Sequence, residues 1–182
     1  MTALDTRPTT DEHAPYFALY VDTTAKALEA NSQSLIAFYE SQVPALRALL
    51  SGVDDTFAQK AYAPGKWTLA ESLIHVADTE RVFAYRLLTI ARGDTTPLPP
   101  FDQDVWVPQS GGSRRKLADI LTEIEAARNA NLHLIRSLDD AAVARQGTSG
   151  GKPVTVRALA WIIAGHFGHH LELTRTKYLG KA

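Results

Sequence analysis

The chain has 182 residues, with 19 Lys and Arg against 20 Asp and Glu, a formal net charge of -1 and a hydrophobic fraction of 45%. That size and composition describe one soluble domain able to bury a core without covalent staples, and the balanced charge argues against nucleic acid or an anionic membrane as partner. The sequence contains no cysteine, which excludes disulfides, thiolate metal sites, iron–sulfur clusters and a cysteine nucleophile, and which fits a cytoplasmic protein.

Residues 1–15 are polar, carry Asp5, Asp11 and Glu12, and lack an apolar run, so they read as neither a signal peptide nor a membrane span. A loose N-terminal arm is expected there, with a single domain over residues 16–182. Four long segments then repeat apolar residues at helical spacing, and none alternates as a strand. The first runs from about Thr24 to Leu50, with Pro44 expected to kink or restart it. A short helical turn is expected near Asp54–Lys60. The second long helix opens on Thr68-Leu69-Ala70-Glu71, a capping-box pattern in which hydroxyl and carboxylate satisfy free backbone N–H groups, and it runs to about Arg92. The stretch from Asp94 to Gly112 is long and rich in proline and aromatic residues (Pro97, Pro99, Pro100, Phe101, Trp106, Pro108), a composition suited to shaping a pocket. A third helix spans about Ser113–Leu138. Asp139–Pro153 bears Gly and Ser and is expected to be mobile. The fourth helix starts near Thr155 and ends at about Leu179, ahead of Gly180. The fold class predicted is all-α, an up-down-type four-helix bundle with a long crossover loop between the second and third helices.

Six histidines are the residues with chemistry to place. His13 falls in the arm, and His133 on the third helix is expected to face solvent. His166 and His170 are four residues apart, about one helical turn, so both rings leave the same side of the fourth helix. At 100° per residue, Leu159, Ile162, Ile163 and Leu173 share that side, which puts two imidazoles in an apolar stripe. Leaving such rings buried without partners costs about 1–3 kcal/mol each, a cost that either a metal ion or hydrogen bonds within the core would remove. His169 lies on the flank of this stripe. A third ligand would come from elsewhere, with His75 the candidate. It shares its helical face with Glu71, Asp78, Thr79, Val82 and Arg86, which is either a solvent face or a polar seam toward another helix. No Glu-x-x-His or His-Glu-x-x-His is present, so neither a di-iron carboxylate bundle nor a zincin is supported. Gly147–Pro153 lacks the spacing of a phosphate-binding loop.

Several separated stretches are similar to one family. Ala63-Pro64-Gly65-Lys66-Trp67-Thr68, then Glu71, His75, Asp78-Thr79-Glu80-Arg81 and Phe83-Ala84-Tyr85-Arg86 resemble the DinB-like superfamily. So do Ala91-Arg92-Gly93-Asp94-Thr95-Thr96-Pro97-Leu98-Pro99 with Phe101-Asp102-Gln103-Asp104, and Arg157-Ala158-Leu159 through Ile162-Ile163-Ala164-Gly165-His166 to His169-His170. The resemblance covers roughly residues 20–180. It implies a four-helix bundle holding one divalent metal (Zn, Ni or Fe) through His75, His166 and His170. Related proteins include thiol-dependent S-transferases and isomerases that use bacillithiol or mycothiol.

The expectation is therefore a divalent-metal-dependent enzyme of this superfamily, activating a water or thiol as a hydrolase or thiol S-transferase. The alternative is a non-catalytic metal- or ligand-binding bundle. Three imidazoles leave open coordination positions, as catalytic sites do. Glu71 and Asp78 are candidate proton carriers or acceptors beside the ligands, and Asp102 and Gln103 are candidate substrate contacts. The expected partners are a small-molecule substrate, a low-molecular-weight thiol and a second copy of the chain, with neither nucleic acid nor membrane.

Overall fold

The computed structural model describes residues 2–181; Met1 of the expected arm and Ala182 at the end of the expected domain lie outside the described residues. Its helices are α1 (Ala18–Asn31), α2 (Leu35–Leu49), α3 (Asp55–Ala58), α4 (Leu69–Ala91), α5 (Gln103–Trp106), α6 (Leu117–Arg136), α7 (Asp140–Val143) and α8 (Val156–Leu173). A hairpin of β1 (Gln146–Ser149) and β2 (Lys152–Thr155) precedes α8, and a π-helical turn at Thr174–Tyr178 extends α8.

The expected four-helix bundle is made by α2, α4, α6 and α8, with α1 laid along α8. Side-chain pairs give the directions. Tyr39 and Gln42 of α2 donate to the carbonyls of Ala160 and Ala164, so α2 runs parallel to α8. Ser72 and His75 of α4 meet His170 and His166, so α4 runs antiparallel to α8. Glu40 and Arg47 of α2 pair with Arg136 and Glu125 of α6 in the antiparallel sense. The four helices thus run up, down, down, up. Two neighbouring helices, α4 and α6, are parallel, and the chain leaving one must return along the bundle before entering the other. With 23 residues, α4 is about 35 Å long at 1.5 Å rise per residue. That distance is the physical reason for the long crossover through residues 92–116.

The sequence pattern needs correction at three places. Pro44 does not restart the first helix but stays inside α2; the break lies at Ser32, whose φ of 48° is left-handed, and Ser34 then caps α2 by accepting from the Ala37 N–H. The stretch expected to be mobile and strandless folds into the β1–β2 hairpin. Its turn is Gly150-Gly151, both at positive φ (58° and 74°), the conformation a tight two-residue hairpin demands. The hairpin also receives the crossover: Leu98 N–H donates to Thr148, and Gly150 N–H donates to Leu98.

The third correction concerns residues 2–15, which are docked rather than loose. Leu4 is buried and its carbonyl accepts from Trp161 Nε1 at 2.8 Å. Glu12 accepts from Arg157 Nε at 3.0 Å and from Thr155 Oγ1 at 2.7 Å, at the start of α8. His13 is buried as well, its Nδ1 3.0 Å from the Ala14 carbonyl oxygen.

The interior consists of two apolar clusters. One gathers Phe83, Leu87 and Ile90 with Leu159, Ile162 and Ile163; the other gathers Leu69, Leu73, Ile74 and Ala77 with Ile120, Ile124 and Phe167. Between them runs a polar layer containing Thr79 and Glu80 of α4, Arg128 and Asn131 of α6, and the histidines of α4 and α8. Arg128 is fully buried, with Nη2 3.0 Å from Glu80 Oε2 and its guanidinium between the rings of Tyr39 and Phe167 at 4.4 and 4.6 Å. Asn131 donates to the same carboxylate at 2.7 Å.

Candidate metal centre

Three buried histidines meet where α4 faces α8. Each of His75, His166 and His170 offers a ring nitrogen, and these atoms lie within 4.8 Å of one another; among the described residues no Asp, Glu or Cys joins the group. His75 Nε2 stands 3.1 Å from His166 Nε2, and the ring centroids of the three pairs are 4.6 to 5.1 Å apart. The helical spacing predicted for His166 and His170 is what places both on the α4 side of α8. His75 occupies a polar seam rather than a solvent face, at 3% exposure.

Surroundings set the charge state of this cluster. Burial pulls the His75 imidazolium down to about 4. Burial also holds His166 and His170 well below the ordinary histidine value, and repulsion from neighbouring imidazolium charges, His170 and His75 on His166 and His75 and His169 on His170, adds to the effect. All three rings are therefore neutral near pH 7, with lone pairs free for coordination. Ser72 Oγ sits 3.2 Å from His170 Nδ1, so a hydroxyl fixes that ring from behind. A nitrogen facing a nitrogen at 3.1 Å, buried with neutral rings on all sides, is the donor set that suits a borderline divalent cation. The residues present fit such an ion.

The cluster opens on two lobes of one cleft. The larger, about 450 Å³, reaches His75 and His166 and is walled by Tyr20, Phe83, Arg86 and Phe101. The smaller, about 300 Å³, reaches His75 and His170 and is walled by Trp67, His169 and Tyr178. Tyr20, His75 and Gln103 border both. Tyr20 presents its ring edge to His166 at 5.2 Å and to His169 at 5.8 Å, and Trp67 lies 5.0 Å from His75. The Tyr178 hydroxyl, pushed up to about 12 by burial, donates to the Trp67 carbonyl at 2.8 Å and ties the π-helical turn to the start of α4.

Sequence-predicted site residues divide clearly. Asp102 and Gln103 line the larger lobe, at the N-terminus of α5. Glu71 does not reach the histidines; its Oε2 accepts from Thr68 N–H at 2.8 Å and from Thr68 Oγ1 at 3.0 Å, completing the predicted capping box. Asp78 lies at the seam toward α6, where its carboxylate is 3.5 Å from Arg81 Nη1, and Arg81 bonds Glu123 at 2.6 Å. Neither carboxylate borders either lobe. His133 is exposed, as expected, and His169 is half-buried beside the cluster. Sequence reasoning missed Tyr20, Trp67, Thr79 and Arg86 as lining groups. Thr79 and Arg86 stood on the His75 face all along, four and eleven residues on.

A helical bundle with parallel central neighbours and three imidazoles converging from α4 and α8 defines the class of protein. The model of the DinB superfamily matches residues 37–174, and the chain belongs to that superfamily. Among solved structures, YfiT from Bacillus subtilis superposes with a TM-score of 0.72 at 17% sequence identity, covering 98% of this chain and 95% of that one. YfiT is described as "a probable metal-dependent hydrolase with an unusual four-helix bundle topology". At that identity the likeness is one of fold. No curated protein matches the sequence. Among the described residues no helix is long and apolar enough to cross a membrane.

Proposed function

We propose that the protein is a divalent-metal-dependent enzyme that activates water or a low-molecular-weight thiol against a small molecule bound in the cleft. The observation behind this reading is the convergence of three buried, neutral imidazoles at the floor of an open cavity. A purely structural site would be closed by a fourth protein ligand, whereas this one faces space for a guest. The description of YfiT as "a probable metal-dependent hydrolase" points the same way.

His75, His166 and His170 would hold a Zn, Ni or Fe(II) ion, which supplies Lewis acidity to a water or thiol near neutral pH. The protein's own groups do the rest. Ser72 keeps the His170 ring in one orientation. Tyr20, Trp67, Phe83 and Phe101 wall the cleft with aromatic surface and limit water. Gln103 borders both lobes, so its amide can contact a substrate in one and a second reactant in the other. Asp102 contributes a carboxylate at the rim, with one oxygen already accepting from the Asp104 N–H.

Protein purified without a polyhistidine tag should take up one equivalent of Zn²⁺, Ni²⁺ or Fe²⁺, and the loaded protein should turn over in ester-hydrolysis or thiol-transfer assays. Full occupancy without turnover in any metal and substrate pairing would favour a non-catalytic binding role. Failure of all three ions to bind would remove the reading altogether.

A further inference from the structure

The larger lobe holds a charge that the protein leaves without a counter-ion. Arg86 lies on α4, three turns beyond His75, and is 5% exposed. Its Nη2 donates to the Pro99 carbonyl at 2.8 Å, and its Cζ lies 5.3 Å from the Phe83 ring centroid and 5.6 Å from that of Phe101. Among the described residues no carboxylate forms an ion pair with it. Asp102, on the same cavity wall, is exposed and turned to its own backbone. The other buried arginine, Arg128, does have its acid, Glu80. A guanidinium withdrawn from water and clamped by two aromatic faces pays desolvation without an ionic return, which is the arrangement of a site awaiting an anion.

We infer that Arg86 is the anchor for a substrate carboxylate, placing a small, flat or aromatic monoanion along the larger lobe with its opposite end at the histidine cluster. The inference rests on the active-site reading above and adds the substrate class. Three features set that class. Arg86 is the one arginine or lysine side chain on the lobe, so the wall away from the histidines presents a single guanidinium, which one carboxylate matches. Phe83 bridges the two ends, with its ring beside Arg86 and 6.4 Å from the His166 ring, and together with Phe17, Tyr20 and Phe101 it offers apolar faces between them. Eleven residues of helix separate His75 from Arg86 by about 16 Å, and the arginine leans back toward the N-terminus over Phe83, leaving roughly 10 Å to be spanned. That is the length of an arylalkanoic acid.

The test is calorimetric titration of benzoate, phenylacetate and hydrocinnamate, each against its primary amide, into metal-loaded and chelator-treated protein. The wild type should prefer the carboxylates by about tenfold or more, and should keep that preference after chelation, since Arg86 and not the ion reads the charge. Arg86→Gln should abolish the preference and Arg86→Lys should keep part of it, because a lysine retains the charge but not the planar fork. If the Gln variant fails to fold, the wild-type comparison of acid with amide still decides. Equal binding of acid and amide, or no binding of any acid at millimolar concentration, overturns the anchor. A preference that survives in Arg86→Gln overturns it as well. Acid selectivity in protein that takes up no divalent ion keeps the anchor while the metal reading falls. Metal uptake with turnover but without acid selectivity removes the anchor alone.

Discussion

Two of the three histidines have a hydroxyl beside the ring: Thr79 Oγ1 lies 3.4 Å from His75 Nδ1, and Ser72 lies nearer to His170. Ser72 Oγ at 3.2 Å from His170 Nδ1 orients that ring toward the cluster, and groups that orient a ligand in this way are worth about ten- to a hundredfold in metal affinity. Ser72→Ala is expected to weaken binding by that factor in a competition titration with a chromophoric chelator, and His166→Ala to weaken it further by removing a ligand outright. Glu71 supplies the contrast. Its carboxylate caps α4, so Glu71→Ala should cost about 0.5–2 kcal/mol in urea unfolding and leave metal affinity as it is. A loss of affinity in that variant would restore Glu71 to the site from which its geometry removes it. The same pair shows what could be read in the sequence. The spacing of His166 and His170 survives folding intact, because helix periodicity fixes it. That His75 faces inward could not be decided from its own helix, since its neighbours Glu71, Asp78 and Arg86 are polar for three unrelated reasons: a cap, a surface ion pair and an unpaired charge on the cavity wall.

At the scale of elements, α8 is the axis on which the others are hung. Thr24, Tyr39 and Gln42 donate side-chain hydrogen bonds of 2.6 to 2.8 Å to its carbonyls at Trp161, Ala160 and Ala164, using lone pairs that the helix's own bonds leave free. Gly165 lets α1 approach closest. A Cβ there would overlap the Tyr20 carbonyl oxygen and stand 2.9 Å from Thr24 Oγ1, and backbone cannot step aside as a flexible side chain can. Gly165→Ala should therefore destabilise the fold by about 1–3 kcal/mol or more, read from the urea midpoint, and should shift Tyr20 in the cleft enough to weaken binding there. This glycine lies one residue from His166, and periodicity alone gave no reason for it. The Thr68–Glu71 cap and the start of α8 after Pro153 were legible because local chemistry decides them. The hairpin was legible in principle, since Gly150-Gly151 between short β-forming stretches is a turn signal, but its strands are too short to alternate visibly. Pro44 misled because a proline inside a helix is tolerated where neighbouring helices pack around it, while the real break at Ser32 is a left-handed C-cap, closed by hydrogen bonds back to Leu28 and Glu29, on a residue type that seldom signals one.

On the scale of the whole molecule, the sequence announced the long crossover but not its cause, the parallel pairing of α4 with α6, because direction is a relation between distant segments. The fate of the N-terminal segment was hidden for the same reason. Its polar composition suggested a loose arm, yet Glu12 bonds Arg157 and Thr155 at the head of α8, and Leu4 receives the Trp161 indole N–H. Burial by itself would raise the Glu12 carboxyl, but the bonds from Arg157, from the Thr9 N–H and from Thr155 outweigh it and hold the group at about 2, below its ordinary 4.5. A carboxyl whose value is lowered on folding stabilises the native state above the unfolded value, and that stabilisation drains away as pH falls toward the folded one. Replacing the charge in Glu12→Gln should thus cost roughly 1–3 kcal/mol in urea unfolding at pH 7, and the gap to the wild type should narrow progressively once pH drops below 4.5 toward 2. No gap at any pH would mean that the segment is held by the Leu4 and Trp161 contacts alone, and a gap independent of pH would mean that the Glu12 charge contributes nothing. Because Tyr16 and Phe17, which border the larger lobe, follow directly on this clamp, the same variant should also loosen one wall of the cleft, detectable as weaker hydrocinnamate binding at pH 7 with metal uptake unaltered.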